Sequence, residues 1–335
     1  NHHLLCSRFF IMTDKQQNKK IIVTGAAGFI GLHLAKSLLN DGYTVLGIDN
    51  MNDYYDPSLK QARLNQLTKY SEFSFAKIDI ADLKQLDYFF SVFQPDRVVN
   101  LAAQAGVRYS LENPHAYIES NVKGFMNILE CCRHHKIKGL IYASSSSVYG
   151  GNEKIPFSVD DRVDHPISIY AATKKSNELM AHTYSHLYGL HTTGLRFFTV
   201  YGPWGRPDMA MNIFANKIHN GESIPVFNHG NMKRDFTYID DIIAGTRSAI
   251  EFNAKNEIYN LGNNNWENLM DMVALLEKSL GEKAIIDFQD IQPGDVEKTY
   301  ANISKSKQDL EYEPTTSLDI GIPKFIQWFK EYNDI

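Results

Sequence analysis

The chain has 335 residues, of which 43% are hydrophobic and 22% are charged, and its formal net charge is −5. This composition fits one large α/β unit or two subdomains, and the acidic balance gives no reason to expect binding to nucleic acid or an anionic membrane. No apolar run approaches the length of a membrane span. The three cysteines lack the spacing of a disulfide framework, which indicates reduced thiols in a cytoplasmic protein.

Residues 1–19 are interpreted as a disordered leader or tag remnant, because the chain starts Asn1-His2-His3 and Arg8 interrupts its short apolar stretch. From residue 20, short β-branched runs alternate with stretches of helical periodicity. Strands are predicted at 20–25, 43–49, 73–80, 97–101 and 139–143, and helices at 29–40, 59–69, 83–93 and 115–133.

This alternation predicts an α/β fold with a doubly wound parallel sheet of the Rossmann type over residues 20–200. Later segments are shorter and mixed, with strands near 224–227 and 257–261 and helices at 240–252, 269–280 and 320–329. Residues 201–335 are therefore expected to form a smaller α/β substrate domain. The segment 237–262 is expected to return to the first sheet.

A glycine-rich turn follows the first predicted strand. Gly25, Gly28 and Gly31 depart from GxGxxG spacing, yet they allow a tight turn, a close backbone approach to pyrophosphate and a helix N-terminus facing the phosphates. Asp49 ends the next strand, where a carboxylate accepts hydrogen bonds from ribose hydroxyls and repels a 2′-phosphate. The sequence therefore predicts NAD rather than NADP. A turn that needs glycine only for its geometry and a helix-capping Asp49 are the alternatives.

Tyr170 and Lys174 lie four residues apart on a predicted helix and share one face. A phenol normally titrates near pH ~10, and a neighbouring ammonium lowers that value toward a usable general base. The serine run 144–147 follows a buried strand, where a hydroxyl can hydrogen-bond the reacting oxygen. Each motif alone has a plainer interpretation, a solvated helix face or a flexible loop. Together they predict proton removal from an alcohol coupled to hydride transfer to a nicotinamide.

The histidines do not predict a metal site. His182 and His186 are spaced i, i+4, but no glutamate completes a zinc-protease motif, and His134-His135 beside Cys131-Cys132 lacks ligand spacing.

Taken together, the motifs resemble the extended short-chain dehydrogenases/reductases from Lys20 to about Trp328, and within them the nucleotide-sugar 4-epimerases. Residues 47–56, 101–110, 170–178 and 196–206 are most similar to the UDP-glucuronate 4-epimerase branch. The resemblance implies that Tyr170 is the base, Lys174 its partner and Ser145 the hydroxyl that binds the reacting oxygen.

The residues expected to contact NAD are Gly25, Gly28, Phe29, Ile30, Gly31, Asp49, Asn50, Asn52, Asp79, Ile80, Leu101, Ala102, Ala103, Gln104, Asn121, Tyr170, Lys174 and Phe198. The residues expected to contact the UDP-sugar are Arg108, Ser145, Ser146, Ser147, Tyr170, Thr199, Arg206, Pro225, Val226, Phe227, Arg234 and Asp295. Asp79 could equally be a turn residue and Arg234 a surface arginine. Arg206 is the candidate clamp for a uronate carboxylate, or else it orders its own loop.

The resemblance implies C4 epimerisation of UDP-glucuronate to UDP-galacturonate through a 4-keto sugar. Related dehydratases and decarboxylases carry an acidic residue in the serine motif, and its absence from residues 144–147 favours epimerisation without elimination. UDP-glucose or UDP-N-acetylhexosamine 4-epimerases, a simple alcohol dehydrogenase and a non-catalytic NAD-sensing regulator are the alternatives. A homodimer formed through helices 115–133 and 170–188 is expected from the family.

Overall fold

The computed structural model describes residues 19–293 and 295–335. The predicted leader falls outside the described residues apart from Lys19, whose Nζ lies 3.1 Å from the Glu251 carboxylate. Within the described ranges, no helix has both the length and the apolar character needed to cross a bilayer.

The strands are β1 (Lys20–Thr24), β2 (Thr44–Asp49), β3 (Phe73–Lys77), β4 (Arg97–Asn100), β5 (Leu140–Ser145), β6 (Thr192–Phe197), β7 (Thr199–Tyr201), β8 (Ser223–Phe227), β9 (Lys233–Arg234), β10 (Phe236–Tyr238), β11 (Asn256–Leu261), β12 (Glu267–Asn268) and β13 (Ile285–Gln289). The helices are α1 (Phe29–Asn40), α2 (Pro57–Leu67), α3 (Leu83–Phe93), α4 (Tyr109–Glu112), α5 (Pro114–Tyr117), α6 (Gly124–His134), α7 (Ile169–Tyr188), α8 (Ala210–His219), α9 (Ile239–Phe252), α10 (Leu269–Leu280), α11 (Ser304–Leu310) and α12 (Leu318–Asn333). A π-helical turn (Ile118–Lys123) joins α5 to α6.

Seven strands form one parallel sheet in the order β11-β6-β5-β4-β1-β2-β3. Ile21, Ile22 and Val23 of β1 are at most 1% exposed, because a parallel sheet covered on both faces buries consecutive side chains. The predicted doubly wound parallel sheet is confirmed. Strand addition reverses at β1, which pairs with β2 on one side and β4 on the other, and this switch point opens a crevice at the carboxyl ends of the strands.

The remaining strands form three two-stranded sheets, β8 with β13, β9 with β12 and β7 with β10. β11 comes from the later half of the chain and lies beside β6 in the large sheet. The buried apolar side chains on one face of that sheet continue without a break into those of α8, α10 and α12. The earlier and later halves of the chain therefore share one hydrophobic core, and the crevice lies between them.

Candidate active site

A cavity lies at the carboxyl end of the large sheet and is lined by both halves of the chain. The predicted residues that line it are Gly25, Gly28, Phe29, Ile30, Gly31, Asp49, Asn50, Asn52, Asp79, Ile80, Leu101, Ala102, Ala103, Gln104, Ser145, Ser146, Ser147, Tyr170, Lys174, Phe198, Thr199, Arg206, Arg234 and Asp295. An adjoining cavity shares Thr199, Arg206, Arg234 and Asp295 and adds Arg108, Pro225 and Phe227.

Two predicted residues line neither cavity. Val226 is fully buried, because alternate side chains of a strand face opposite sides and Pro225 and Phe227 take the cavity side. Asn121 is 1% exposed and lies behind the wall. Its Nδ2 donates to the Gln104 carbonyl at 3.0 Å and its Oδ1 accepts from the Gln104 amide at 2.8 Å. Asn121 thus holds the backbone of Gln104, a residue of the cavity wall. The expected contacts of Val226 with the UDP-sugar and of Asn121 with NAD stay predictions.

The glycine turn brings backbone very close to backbone. Gly25 has φ of +71°, and a Cβ there would lie 2.9 Å from the Ala102 nitrogen. A Cβ on Gly31 would lie 2.0 Å from the Gly25 carbonyl oxygen. The N-cap of α1 is Gly28, and no described side chain caps this end of the helix by a hydrogen bond. The first amides of α1 are thus available to an anion in the cavity.

Asp49 ends β2 on the cavity wall with each carboxylate oxygen anchored to the backbone. Oδ2 accepts from the Ala27 amide at 3.1 Å and Oδ1 from the Met51 amide at 2.9 Å. Burial raises the pKa of Asp49, while the Met51 amide and the charge of Lys60 oppose that shift. A carboxylate oxygen has two lone pairs, so Asp49 can still accept hydrogen bonds from a ribose diol.

Tyr170 lies in the first turn of α7, which begins where the Ser168 hydroxyl accepts from the Ala171 amide at 3.1 Å. Burial raises the pKa of Tyr170, while a hydrogen bond with Ser145 and the charge of Arg206 oppose the rise. The described contacts of Tyr170 therefore include one hydroxyl and one cation that favour its phenolate.

Lys174 lies one turn further along α7 and is 3% exposed. Its Nζ donates to the Ala143 carbonyl at 2.9 Å and lies 5.9 Å from the centroid of the Tyr170 ring. Burial lowers the pKa of Lys174 to about 8. Tyr170 and Lys174 therefore share a helix face, as predicted. The buried ammonium of Lys174, however, donates to the Ala143 carbonyl of β5. The cation whose charge opposes the rise in the pKa of Tyr170 is Arg206.

Arg206 is held by residues that the sequence analysis missed. Its Nε donates to Asp208 Oδ1 at 3.0 Å, its Nη2 donates to Asp208 Oδ2, and the Tyr54 hydroxyl donates to Asp208 Oδ2 at 3.1 Å. Asp208 could have been found from the sequence, because an acid two residues after Arg206 is a natural partner for its guanidinium. Tyr54 could not, since its contact depends on how two distant loops meet.

Two arginines lie where the cavities join. Arg108 Nη2 lies 2.8 Å from Asp295 Oδ2, and its guanidinium carbon is 4.4 Å from the centroid of the Phe227 ring. Arg234 donates to the Lys233 and Glu297 carbonyls at 3.2 and 3.1 Å, and burial lowers its pKa. Two cations beside an aromatic ring are suited to a diphosphate that carries a planar base.

A buried ion pair ties together the elements that carry the candidate catalytic groups. Arg196 of β6 donates from Nε and Nη2 to the two carboxylate oxygens of Glu178 on α7 at 2.8 and 2.9 Å, and both side chains are at most 2% exposed. The Ser144 hydroxyl of β5 donates to Glu178 Oε1 at 2.7 Å. The pair thus fixes α7, which carries Tyr170, against the strand that carries Ser145.

Across residues 19–293 and 295–335, no three or more His, Cys, Asp or Glu side chains are grouped so that they could hold a metal ion.

Comparison with known proteins places these features in a family. Residues 21–262 match the model of the NAD dependent epimerase/dehydratase family. Protein CapI of Staphylococcus aureus is 53% identical over 331 residues, which cover 93% of this chain and 99% of that protein. UDP-glucuronate 4-epimerase 4 of Arabidopsis thaliana is 46% identical over 340 residues, which cover 96% of this chain and 78% of that protein.

Among solved structures, the chain is similar to UDP-glucuronic acid 4-epimerase from Bacillus cereus, crystallised in complex with UDP-glucuronic acid and NAD. The TM-score is 0.87 at 38% identity, and the match covers 93% of this chain and 99% of that one.

Proposed function

Since this chain belongs to the NAD dependent epimerase/dehydratase family, we propose that it is an isomerase that inverts C4 of a UDP-sugar and interconverts UDP-glucuronate and UDP-galacturonate. The observation that carries the proposal is that Tyr170, Ser145 and Arg206 face one cavity while residues 144–147 include no acid. The likeness to enzymes named for UDP-glucuronate supports the choice of sugar.

The residues at the glycine turn fit NAD. The uncapped N-terminus of α1 and the close turn at Gly25 and Gly31 suit a pyrophosphate, and Asp49 suits an adenosine ribose. When bound, NAD supplies the reversible oxidation of the sugar at C4.

In the proposed mechanism, Tyr170 takes the proton of the sugar 4-hydroxyl and later returns it. Ser145 hydrogen-bonds the same oxygen, and the positive charge of Arg206 stabilises the phenolate. With a pKa of about 8, Lys174 is mostly protonated at neutral pH and adds a second cation near the ring. After the sugar turns over within the cavity, the same groups act on its opposite face.

A uronate oxidised at C4 is a β-keto acid and is prone to lose carbon dioxide. Arg206 can restrain the carboxylate, because a guanidinium binds a carboxylate bidentately and fixes its plane. Residues 144–147 offer no acid that could serve an elimination. Arg234 and Arg108 are proposed to bind the diphosphate, beside Thr199, Pro225, Phe227 and Asp295.

We also propose that residues 20–200 serve NAD and residues 201–335 serve the sugar nucleotide, with β11 belonging to the first unit. A homodimer through α7 and the helical stretch before it is supported by exposed apolar side chains there, Leu179 at 58%, Leu187 at 59% and Ile118 at 50%. A monomer mass in sedimentation would overturn it. A cytoplasmic location is supported by the free, buried thiols Cys131 and Cys132, and cell fractionation tests it.

The function is tested by incubating the enzyme with UDP-glucuronate, UDP-glucose and UDP-N-acetylglucosamine without added NAD, and resolving the C4 epimers by NMR. We expect UDP-galacturonate to appear, and Tyr170→Phe to abolish its formation. Epimerisation of the neutral sugars alone would contradict the proposal. Net accumulation of NADH would indicate a dehydrogenase instead.

The carboxylate role of Arg206 is tested by Arg206→Ala on two sugars. We expect kcat/KM to fall about 10- to 100-fold further with UDP-glucuronate than with UDP-glucose, because a hydrogen-bonded charge pair is lost only with the uronate. An equal loss on both sugars would rule out the clamp.

A further inference from the structure

Arg206, proposed above to hold the substrate carboxylate, is already paired with a carboxylate of the protein. Asp208 fills the Nε–Nη2 edge of its guanidinium. The side chains of Arg206 and Asp208 are 24% and 28% exposed, so the pair lies at the cavity surface, where a ligand can reach it. A uronate and Asp208 therefore offer Arg206 the same chemical group.

Asp208 is ionised in this pair. Burial opposes its ionisation, but the charge and hydrogen bonds of Arg206 lower the pKa of Asp208 overall. A uronate bound at Arg206 would bring a second negative charge beside it. Two carboxylates at one guanidinium repel each other, so Asp208 weakens the hold of Arg206 on a charged sugar but not on a neutral one.

Asp208 has a second donor, Tyr54, which can keep it bound when Arg206 turns to a ligand. Burial and the nearby charge of Asp208 raise the pKa of Tyr54 to about 12, so its hydroxyl remains a donor at neutral pH. Gly106 makes room for this contact, because a Cβ there would lie 2.6 Å from the Tyr54 oxygen.

The main chain that carries Arg206 is fixed from the cofactor side. Arg63 is fully buried and donates to the carbonyls of Trp204 at 2.7 Å and Gly205 at 3.1 Å. His33 Nε2 lies 2.9 Å from the Pro203 carbonyl oxygen. An exchange of partners at Arg206 is therefore confined to side chains, and the loop itself need not move.

We infer that Asp208 is a specificity-determining residue whose carboxylate competes with a substrate carboxylate for Arg206, and that Tyr54 holds Asp208 when it is displaced. This inference rests on the proposed carboxylate role of Arg206. The pair also explains how the cavity could accept a neutral UDP-sugar, since Asp208 then remains the counter-ion of Arg206.

The test measures dissociation constants for UDP-glucuronate and UDP-glucose by calorimetry, on the full NAD-loaded chain with Tyr170→Phe to prevent turnover. Asp208→Asn keeps the shape and an acceptor for Tyr54 but removes the charge. We expect UDP-glucuronate to bind about tenfold more tightly, on the scale of one charge-assisted hydrogen bond, and UDP-glucose to change less than about twofold.

Tyr54→Phe should have the opposite sign. Without the phenol hydroxyl, displaced Asp208 loses a hydrogen bond, and we expect UDP-glucuronate to bind about threefold more weakly. In the Asp208→Asn background the same change should have no effect, because the two residues act through one contact.

Weaker UDP-glucuronate binding by Asp208→Asn would overturn the inference, since it would mean that Asp208 positions Arg206. Equal changes for both sugars would overturn it as well. If the chain with Tyr170 intact does not epimerise UDP-glucuronate, the proposed function itself fails, which is a separate result. If Asp208→Asn does not fold, unchanged UDP-glucuronate binding by Tyr54→Phe alone would refute the inference.

Discussion

Replacing Lys174 with methionine should stabilise the protein at neutral pH while removing its activity. Lys174 is 3% exposed, its Nζ has the Ala143 carbonyl as acceptor at 2.9 Å, and burial lowers its pKa to about 8. Methionine is unbranched, fills a similar volume and carries no charge that must be removed from water. The proposed role of Lys174 in the reaction would therefore come at the expense of the stability of the fold.

The magnitude follows from the pKa. The ordinary lysine value is 10.5 and the folded value is about 8, a difference of about 2.5, which corresponds to a penalty on the order of 3 kcal/mol. Loss of the hydrogen bond to the Ala143 carbonyl lowers the free energy of unfolding of the variant by about 1 kcal/mol. We therefore expect Lys174→Met to raise the free energy of unfolding by about 2 kcal/mol at pH 7.

The pH dependence has a definite sign. Between pH 8 and pH 10.5 the unfolded chain binds more protons at this lysine than the folded chain does, so the stability of the parent rises with pH in that window. The penalty is full below pH 8 and disappears above pH 10.5. The advantage of the variant should therefore shrink as pH is raised.

Urea denaturation of the nucleotide-free parent and variant at pH 7 and pH 10 measures both effects. Lys69→Met, at an exposed position, is the matched control and should show neither the gain nor its pH dependence. A Lys174→Met variant less stable than the parent at pH 7, with the same margin at pH 10, would refute the reasoning. It would mean that the ammonium gains more from its surroundings than burial costs it.

Two further predictions concern the glycine turn and the buried ion pair beside the site. Gly31→Ala should weaken NAD binding at least about tenfold in a fluorescence titration, because its Cβ would lie 2.0 Å from the Gly25 carbonyl oxygen and force the turn open; unchanged affinity would show that the pyrophosphate binds elsewhere. Glu178→Gln should lower the free energy of unfolding by about 3–5 kcal/mol, because Arg196 keeps a buried charge without its counter-ion. A loss below about 1 kcal/mol in urea would contradict that account of the pair.

The helices and strands could be predicted from the sequence because each depends on residues that are close together in the chain. The helices at 29–40, 83–93 and 269–280 begin and end at the predicted residues. Their apolar side chains recur with helical spacing, and glycine or asparagine lies near several ends. The alternation of strands and helices was then sufficient to predict a parallel sheet.

The sequence predicts the site only in part. Which face of a strand lines the cavity, and which loops meet there, depend on residues far apart in the chain. Nothing in residues 225–227 indicates which side of β8 faces a ligand, and only Pro225 and Phe227 of the three line a cavity. Asn121 lies in a π-helical turn, and its side chain hydrogen-bonds the Gln104 backbone instead of pointing into the cavity. The contact between Tyr54 and Asp208 joins loops far apart in the chain, and no pattern in either loop predicts it.

The place of β11 in the large sheet has a consequence for how the protein is made. Because β11 is the partner of β6, a nascent chain that has emerged only as far as β6 presents an open strand edge. Such an edge can pair with another chain and is a route to strand exchange and aggregation. The large sheet therefore cannot be completed on the ribosome until residue 261 has been released. A fragment that stops before β11 would leave β6, whose residues are all buried in the full chain, at the edge of the sheet.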